Sequence, residues 1–134
     1  MNLKKGFQLF LIVLLGLLLM SCRTMREYKE KVAAVEIEDV DLKAVTDGEY
    51  IGEYDARLVK AVVKVVVRNH RIESIELIRH DNGRGAAAEV ILERVISAQN
   101  LRVDTISGAT SSSLVILEAI EQALKKGISP QRTG

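Results

Sequence analysis

Residues 58–78, LVKAVVKVVVRNHRIESIELI, carry the clearest structural pattern in the chain. In the first half, every second residue is apolar, and the residues between them include the charged ones. Alternation among β-branched residues predicts a strand with one well-buried face. That face comprises Val59, Ala61, Val63, Val65 and Val67. Asn69-His70 predicts a turn, and Ile72 to Ile78 predicts a second strand, so the stretch indicates a β-hairpin.

Working outward, Asp47-Gly48 is a turn signal, and the residues from Tyr50 to Tyr54 suit a further strand. On the C-terminal side, the glycine-containing sequence HDNGRG at 80–85 predicts a loop, and 86–98 predicts a helix. Residues 101–105 suit a short strand. The order indicates an α+β fold, a mainly antiparallel sheet with helices packed on one side.

The last predicted helix spans 111–126 and ends at Gly127. Its apolar residues recur at helical spacing, which predicts one buried stripe. The stripe consists of Leu114, Leu117, Ile120, Ala123 and Leu124. On this helical spacing Glu118 and Glu121 are expected to face water.

The N-terminus is a separate segment. Lys4 and Lys5 precede an uncharged apolar run from Phe7 to Met20, which is short for a permanent membrane span. A basic start, a short apolar run and small residues after it are typical of an export signal. We therefore exclude residues 1–21 from the fold.

Cys22 is the only cysteine in the chain, and it follows the apolar run directly. With Leu19 and Ser21 before it, the segment resembles the lipobox of bacterial lipoproteins, in which the cysteine is acylated and begins the mature chain. The alternative is a signal-anchor helix with an incidental cysteine. Either one would tether the protein to the exported face of the cell membrane. The expected organisation is a signal peptide at 1–21, a membrane-proximal tether at 22–36, a domain at 37–128 and a tail at 129–134.

Composition excludes several classes of function. The 134 residues carry a formal net charge of +1 and no tryptophan, which argues against a nucleic-acid partner. Two histidines and one cysteine are too few ligands for a credible metal site. No catalytic triad or pair of acidic residues stands at a telling spacing, so we assign no catalytic residue.

The unusual segment is DTISGATSSS, residues 104–113, directly before the last helix. Free N–H groups and the dipole at a helix start favour an anion. Gly108 and Ala109 would let a phosphate approach the backbone, and the hydroxyls of Thr110, Ser111 and Ser112 could add hydrogen bonds. A capping serine alone would be ordinary at any helix start, and the residues by themselves leave the two interpretations open.

This segment resembles the signature of the FMN-binding domain family, found in flavin-carrying subunits of ion-pumping NADH:quinone and ferredoxin:NAD oxidoreductases. Asp104, Ser107, Gly108, Ala109 and Thr110 match its spacing without a gap. The resemblance extends over most of 46–127.

The resemblance implies that FMN is the cofactor and that a flavin transferase joins its phosphate to the Thr110 hydroxyl. It also implies cofactor contacts from the other residues of the signature and from Ser111 and Ser112. The sequence HDNGRG is similar to a His-x-x-Gly-x-Gly form in small exported members, which adds His80, Gly83, Arg84 and Gly85 as ring-contact candidates. The sequence EYDAR at 53–57 departs from the glycine-rich stretch of many relatives.

The resemblance favours an electron-transfer module over a stand-alone enzyme. Its expected partners are the flavin transferase and a membrane or extracytoplasmic redox protein. Two alternatives stay open. One is a lipoprotein that binds FMN reversibly, as a chaperone or sensor of flavin. The other is a structural lipoprotein that kept the fold and lost the cofactor.

Overall fold

The computed structural model describes residues 2–81 and 85–128, with the backbone alone for 85–88. Helix α1 spans Asn2–Ala33, and a 3₁₀ turn spans Leu42–Ala44. The remaining elements are β1 (Gly48–Asp55), β2 (Lys60–Arg68), β3 (Arg71–Asp81), α2 (Gly85–Ala98) and α3 (Thr110–Lys126). Within the described ranges the strands form one antiparallel sheet in the order β1-β2-β3. The α+β prediction is therefore confirmed.

The predicted hairpin is β2 and β3. Asn69 and His70 form its turn with φ angles of 51° and 58°. Two successive positive φ angles match the twist of antiparallel strands, and asparagine tolerates them well. The valine face is buried as predicted, because Ala61, Val63, Val65 and Val67 are all 0% exposed.

The other face of the sheet is solvated. Lys64 Nζ lies 2.7 Å from Glu76 Oε2, and Lys60 Nζ lies 2.7 Å from Glu53 Oε1. These cross-strand pairs are largely exposed, so each contributes little to stability. This face is mixed, because Ile51, Val62 and Val66 lie among the charged residues, while the valine face receives the helices.

Helix α3 lies directly against the valine face, and Gly52 on β1 permits the contact. A Cβ atom at Gly52 would overlap the carbonyl oxygen of Ala119 and lie 2.6 Å from the backbone nitrogen of Ala123. Near the other end of the helix, the ammonium of Lys126 donates to the carbonyl of Ile51. Lys126 thus contacts Ile51, and Ala119 and Ala123 contact the next residue of the strand, Gly52. Because the helix numbers fall as the strand numbers rise, α3 runs antiparallel to β1.

More of α3 is buried than one stripe. Glu121 is 2% exposed, so the expectation that it faces water is wrong. Its carboxylate accepts from the Glu38 backbone N–H at 3.0 Å and from Lys125 Nζ at 2.5 Å. The segment before β1 crosses this flank of the helix, and helical periodicity alone could not reveal that cover. The hydrogen bond to Glu121 raises the pKa of Lys125.

Two further expectations are corrected. Residues 101–105 are not a strand, since Val103 N–H instead bonds the Leu101 carbonyl at 3.0 Å in a local turn. His80 and Asp81 belong to β3 rather than to a loop, because they continue the ladder opposite Ala61 and Lys60. The register shifts between Val62 and Val63, where Ile78 is an extra residue on β3, and the pairs beyond the shift place His80 opposite Ala61.

Helix α1 is longer than expected and none of its residues is buried. It is long and apolar enough to cross a membrane, and signal sequences pass the same test of length and composition. The N-terminal helix thus fits a signal peptide or a membrane-associated segment. The predicted boundaries of the domain remain predictions, and the predicted tail at 129–134 lies outside the described residues.

We expect Gly52→Ala to destabilise the domain by about 1–3 kcal/mol or more, because the new methyl group must push α3 away from the sheet. Urea unfolding of the domain measures the loss. Glu49→Ala, at an exposed position of the same strand, is the control and should change stability by less than about 0.5 kcal/mol. Equal stability of the two variants would contradict the close packing.

Candidate functional site

The signature residues form the connection from α2 to α3. Asp104, Ser107, Gly108 and Thr110 are exposed, and Ala109 is 5% exposed. Thr110 is the first residue of α3. Thr110, the predicted attachment residue, therefore lies on the surface at the start of a helix.

The turn before Thr110 has a defined conformation. Ala109 N–H donates to the Ile106 carbonyl at 2.9 Å, and Gly108 adopts a φ of 77°. This left-handed angle favours glycine over residues with a side chain. A Cβ atom at Gly108 would meet nothing within 4 Å, so the outer side of the turn is open to a ligand.

Ser113 holds the turn from inside. It is 0% exposed, and its hydroxyl accepts from the Ile106 N–H at 3.1 Å and donates to the Ala109 carbonyl at 2.8 Å. Sequence reasoning counted this serine in the hydroxyl run without giving it a role. Its spacing of four from Ala109 was the available signal, since Ser and Thr in helices often bond the carbonyl four residues back.

The start of α3 suits an anion. Ala109 provides no side-chain cap, and the first turn contains no acidic residue. The positive end of the helix dipole is therefore not offset by the helix itself. Of the first three residues of α3, all of which carry hydroxyls, Thr110 is exposed, Ser111 is half-buried and Ser112 is 6% exposed. Thr110 therefore has the most accessible hydroxyl of the three, whereas Ser112 is too buried for ready contact with an external anion.

Arg94 on α2 fixes the other end of the connection. Its Nη1 atom donates to the carbonyls of Asp104 and Thr105, at 2.7 and 3.4 Å. The guanidinium thus holds the backbone of Asp104 while the residue itself stays exposed. Sequence reasoning missed Arg94, because an arginine on a helix ten residues away gives no local signal.

Beside this contact an open groove of about 620 Å³ runs between α2 and the connection. Its size is within the range of small-molecule sites. The groove is lined by Val90, Glu93, Arg94, Ser97, Ala98, Arg102, Val103 and Asp104. Its lining mixes polar and charged residues with Val90, Ala98 and Val103, and it reaches Asp104, the first residue of the signature.

His80 lies on the inner face of β3, opposite Ala61. Both of its ring nitrogens are buried, and neither has a hydrogen-bond partner among the residues the structure describes. Burial lowers the pKa of His80, an effect that Asp81 partly opposes. Of the other ring-contact candidates, Gly83 and Arg84 lie outside the described residues, and Gly85 begins α2.

His80 and Thr110 lie toward the same end of the sheet. Because α3 runs antiparallel to β1, its start points toward Asp55, the last residue of that strand. Asp55 pairs with Lys60, and Lys60 pairs with Asp81. The structure thus gathers the signature and the end of β3 at one end of the domain. Residues 2–81 and 85–128 contain no group of three His, Cys, Asp or Glu side chains that could hold a metal ion.

Two comparisons bear on this site. Residues 59–125, half of the chain, match the family model of the FMN-binding domain. An uncharacterized protein from Treponema pallidum (strain Nichols) is 27% identical over 120 residues, covering 87% of this chain and 33% of the relative. The chain thus spans about a third of the length of the curated relative it matches.

We expect Ser113→Ala to lower the free energy of unfolding by about 1–3 kcal/mol, because the Ile106 N–H loses the hydroxyl that accepts its hydrogen bond. Chemical denaturation provides the measurement. Ser111→Ala, two residues earlier and half-buried, is the matched control and should cost less. A Ser113→Ala variant as stable as the wild type would show that the turn does not depend on this hydroxyl.

Burial of His80 predicts a pH dependence of stability. Its pKa is lowered from 6.5 in the folded protein, so the unfolded chain takes up the proton first as the pH falls. The wild type should therefore lose stability on going from about pH 7.5 to 5.5, and His80→Gln should lose less. His70→Gln, at the exposed hairpin turn, is the control and should follow the wild type. Asp81, whose pKa is lowered by Arg79, acts only in more acidic solution.

Proposed function

The chain belongs to the FMN-binding domain family and its cofactor is FMN, and from this premise we propose that it is an exported, membrane-anchored electron carrier with FMN phosphoester-linked to Thr110. The observation that carries the proposal is the position of Thr110. It is exposed, it begins α3, and it follows an open turn at Gly108.

The linkage would form when the oxygen of the Thr110 hydroxyl attacks the flavin phosphorus of a donor in which that phosphate is part of a diphosphate ester. The P–O bond of the diphosphate breaks, and the other phosphate half leaves as a monophosphate. The hydroxyl proton leaves, and the adduct equals the protein plus FMN less one water. The start of α3 would then stabilise the phosphate charge with backbone N–H groups and the helix dipole. Ser113 and Arg94 would keep the connection in place from either side through their hydrogen bonds to its backbone.

A threonine hydroxyl is a weak nucleophile without a base. Asp104 is the acidic residue of the signature, and six positions separate it from Thr110. We therefore assign activation of the hydroxyl to a separate flavin transferase, with Asp104 as part of the surface that this enzyme recognises. The hold of Arg94 on the Asp104 carbonyl supports that role, because it presents the residue at a fixed position.

FMN supplies electron transfer in one- or two-electron steps when bound, and the protein positions the cofactor and tunes its potential. The groove beside Asp104 has a volume that could accommodate the ring system, with Val90 and Val103 as apolar contacts. His80 remains a second candidate for contact with the flavin ring, since its ring nitrogens are buried at the same end of the sheet.

The membrane anchor in this proposal is Cys22, acylated after removal of residues 1–21. Cys22 is exposed on α1 and directly follows the apolar segment. A combination of acyl chains gives firm attachment to a bilayer. Without the acylation, the same helix could itself hold the domain at the membrane.

A second candidate function is reversible FMN binding without a covalent bond. The cofactor-sized groove favours it, because a ring held there could add to phosphate binding at the helix start. The two functions differ in the fate of the flavin when the protein unfolds. A covalent flavin stays with the polypeptide, and a reversible one is released.

We expect the wild-type protein, co-expressed with an exported flavin transferase, to gain the mass of FMN less one water on the peptide that contains Thr110. Thr110→Ala should abolish the gain, because the acceptor oxygen is missing. Ser111→Ala is the matched control and should still be modified. Intact mass and peptide mapping measure all three proteins. An unmodified wild type, alongside a modified control target, would leave reversible binding as the function.

A further inference from the structure

The last part of α1 is seated on the domain. Arg57 contacts Glu27 through both Nε and Nη2, each 3.0 Å from Oε2. Four residues along the helix, Lys31 Nζ donates to the Asp55 carbonyl at 2.9 Å. These contacts join the helix to the connection between β1 and β2, so the predicted tether is in part a docked helix.

Apolar contacts and a further hydrogen bond reinforce the ion pair, which alone would be weak at the surface. Tyr28 and Val32 pack against the hydrophobic core. The Tyr54 hydroxyl donates to the Lys31 carbonyl at 3.2 Å. Burial and the nearby Glu118 raise the pKa of Tyr54, so this hydroxyl keeps its proton at neutral pH.

These contacts also give α1 a direction. Lys31 meets Asp55 at the end of β1, while Glu27 meets Arg57 beyond that end. Following α1 toward its N-terminus therefore leads off the sheet. After α1 the chain continues toward the other end of the domain. Glu38 contacts Glu121, and Val45 then pairs with Ile128 near the end of α3.

Cys22 and the apolar segment therefore lie beyond the end of the sheet toward which α3 begins. At about 1.5 Å per helical residue, Cys22 is about 7.5 Å along α1 from Glu27. A membrane surface at an anchored Cys22 would lie at a similar distance from this end of the domain. Residues 42–48, the hairpin turn and the end of α3 form the opposite end.

We propose that the end of the domain carrying Thr110 faces the lipid bilayer, with α1 acting as a docked strut that sets this orientation. The proposal rests on the membrane anchor of the proposed function and does not require the flavin bond. A partner that exchanges electrons with FMN at Thr110 then has to reach it from the bilayer side. A carrier dissolved in the aqueous space would meet the opposite end of the domain.

The test uses the full chain, processed in its host and reconstituted into phosphatidylcholine vesicles that contain a nitroxide-headgroup lipid. A fluorophore is placed through Ser107→Cys near Thr110, or through Lys43→Cys at the opposite end. Acylation blocks the thiol of Cys22, so each protein has one labelled position. We expect the nitroxide to quench the label at residue 107 more strongly than the label at residue 43. Equal quenching, or stronger quenching at 43, would overturn the orientation.

A second variant tests the strut itself. About ten flexible Gly and Ser residues inserted after Arg23 uncouple the docked part of α1 from the anchor. The difference in quenching between the two labels should then disappear. A difference that survives the insertion would show that the docked helix does not orient the domain.

Flotation of the vesicles separates this inference from the proposed function. Protein that does not float with the lipid lacks the anchor, and that result removes both the anchor and the orientation. Protein that floats but gives equal quenching removes the orientation alone. Failure of Thr110 to accept flavin leaves the quenching result intact, because the labels report position without the cofactor.

Discussion

The contact between α3 and β1 at Gly52 determines where α3 lies on the sheet and where the helix begins. A side chain there would overlap the backbone of the helix, so the absence of one lets the helix lie directly on the valine face. The helix axis is then fixed along the strand, and its first residue, Thr110, is carried to the end of the sheet at Asp55. The exposed Thr110 hydroxyl is thus positioned by a helix whose inner side is largely buried.

The candidate site combines rigidity with exposure. Ser113 closes the turn from the buried side of α3, and Arg94 holds the preceding backbone from α2. Neither contact covers Thr110 or Gly108, which stay open to solvent. A fixed backbone with an accessible hydroxyl is suited to modification by another enzyme, because little ordering is required when that enzyme binds. It would be equally suited to hold the phosphate of the proposed linkage.

The polypeptide before β1 contributes more than a connection. It buries Glu121 through the Glu38 backbone, and its helical part meets the end of β1 through Lys31. These contacts give the N-terminal segment a defined path along the domain. In the proposed orientation, an anchor near Cys22 would therefore also set which end of the domain is close to the membrane.

Local pattern by itself was sufficient for the hairpin, the α+β class and the final helix. Each of these depends on residues close in sequence: alternating valines, Asn69-His70, and apolar positions at helical spacing. The sequence match to the FMN-binding domain likewise needed only residues 59–125. Tertiary structure alone decided the burial of Glu121, the extension of β3 through His80, and the roles of Arg94 and Ser113. The physical reason is that burial and hydrogen bonding at those positions come from segments distant in the chain or from a backbone path that periodicity does not encode.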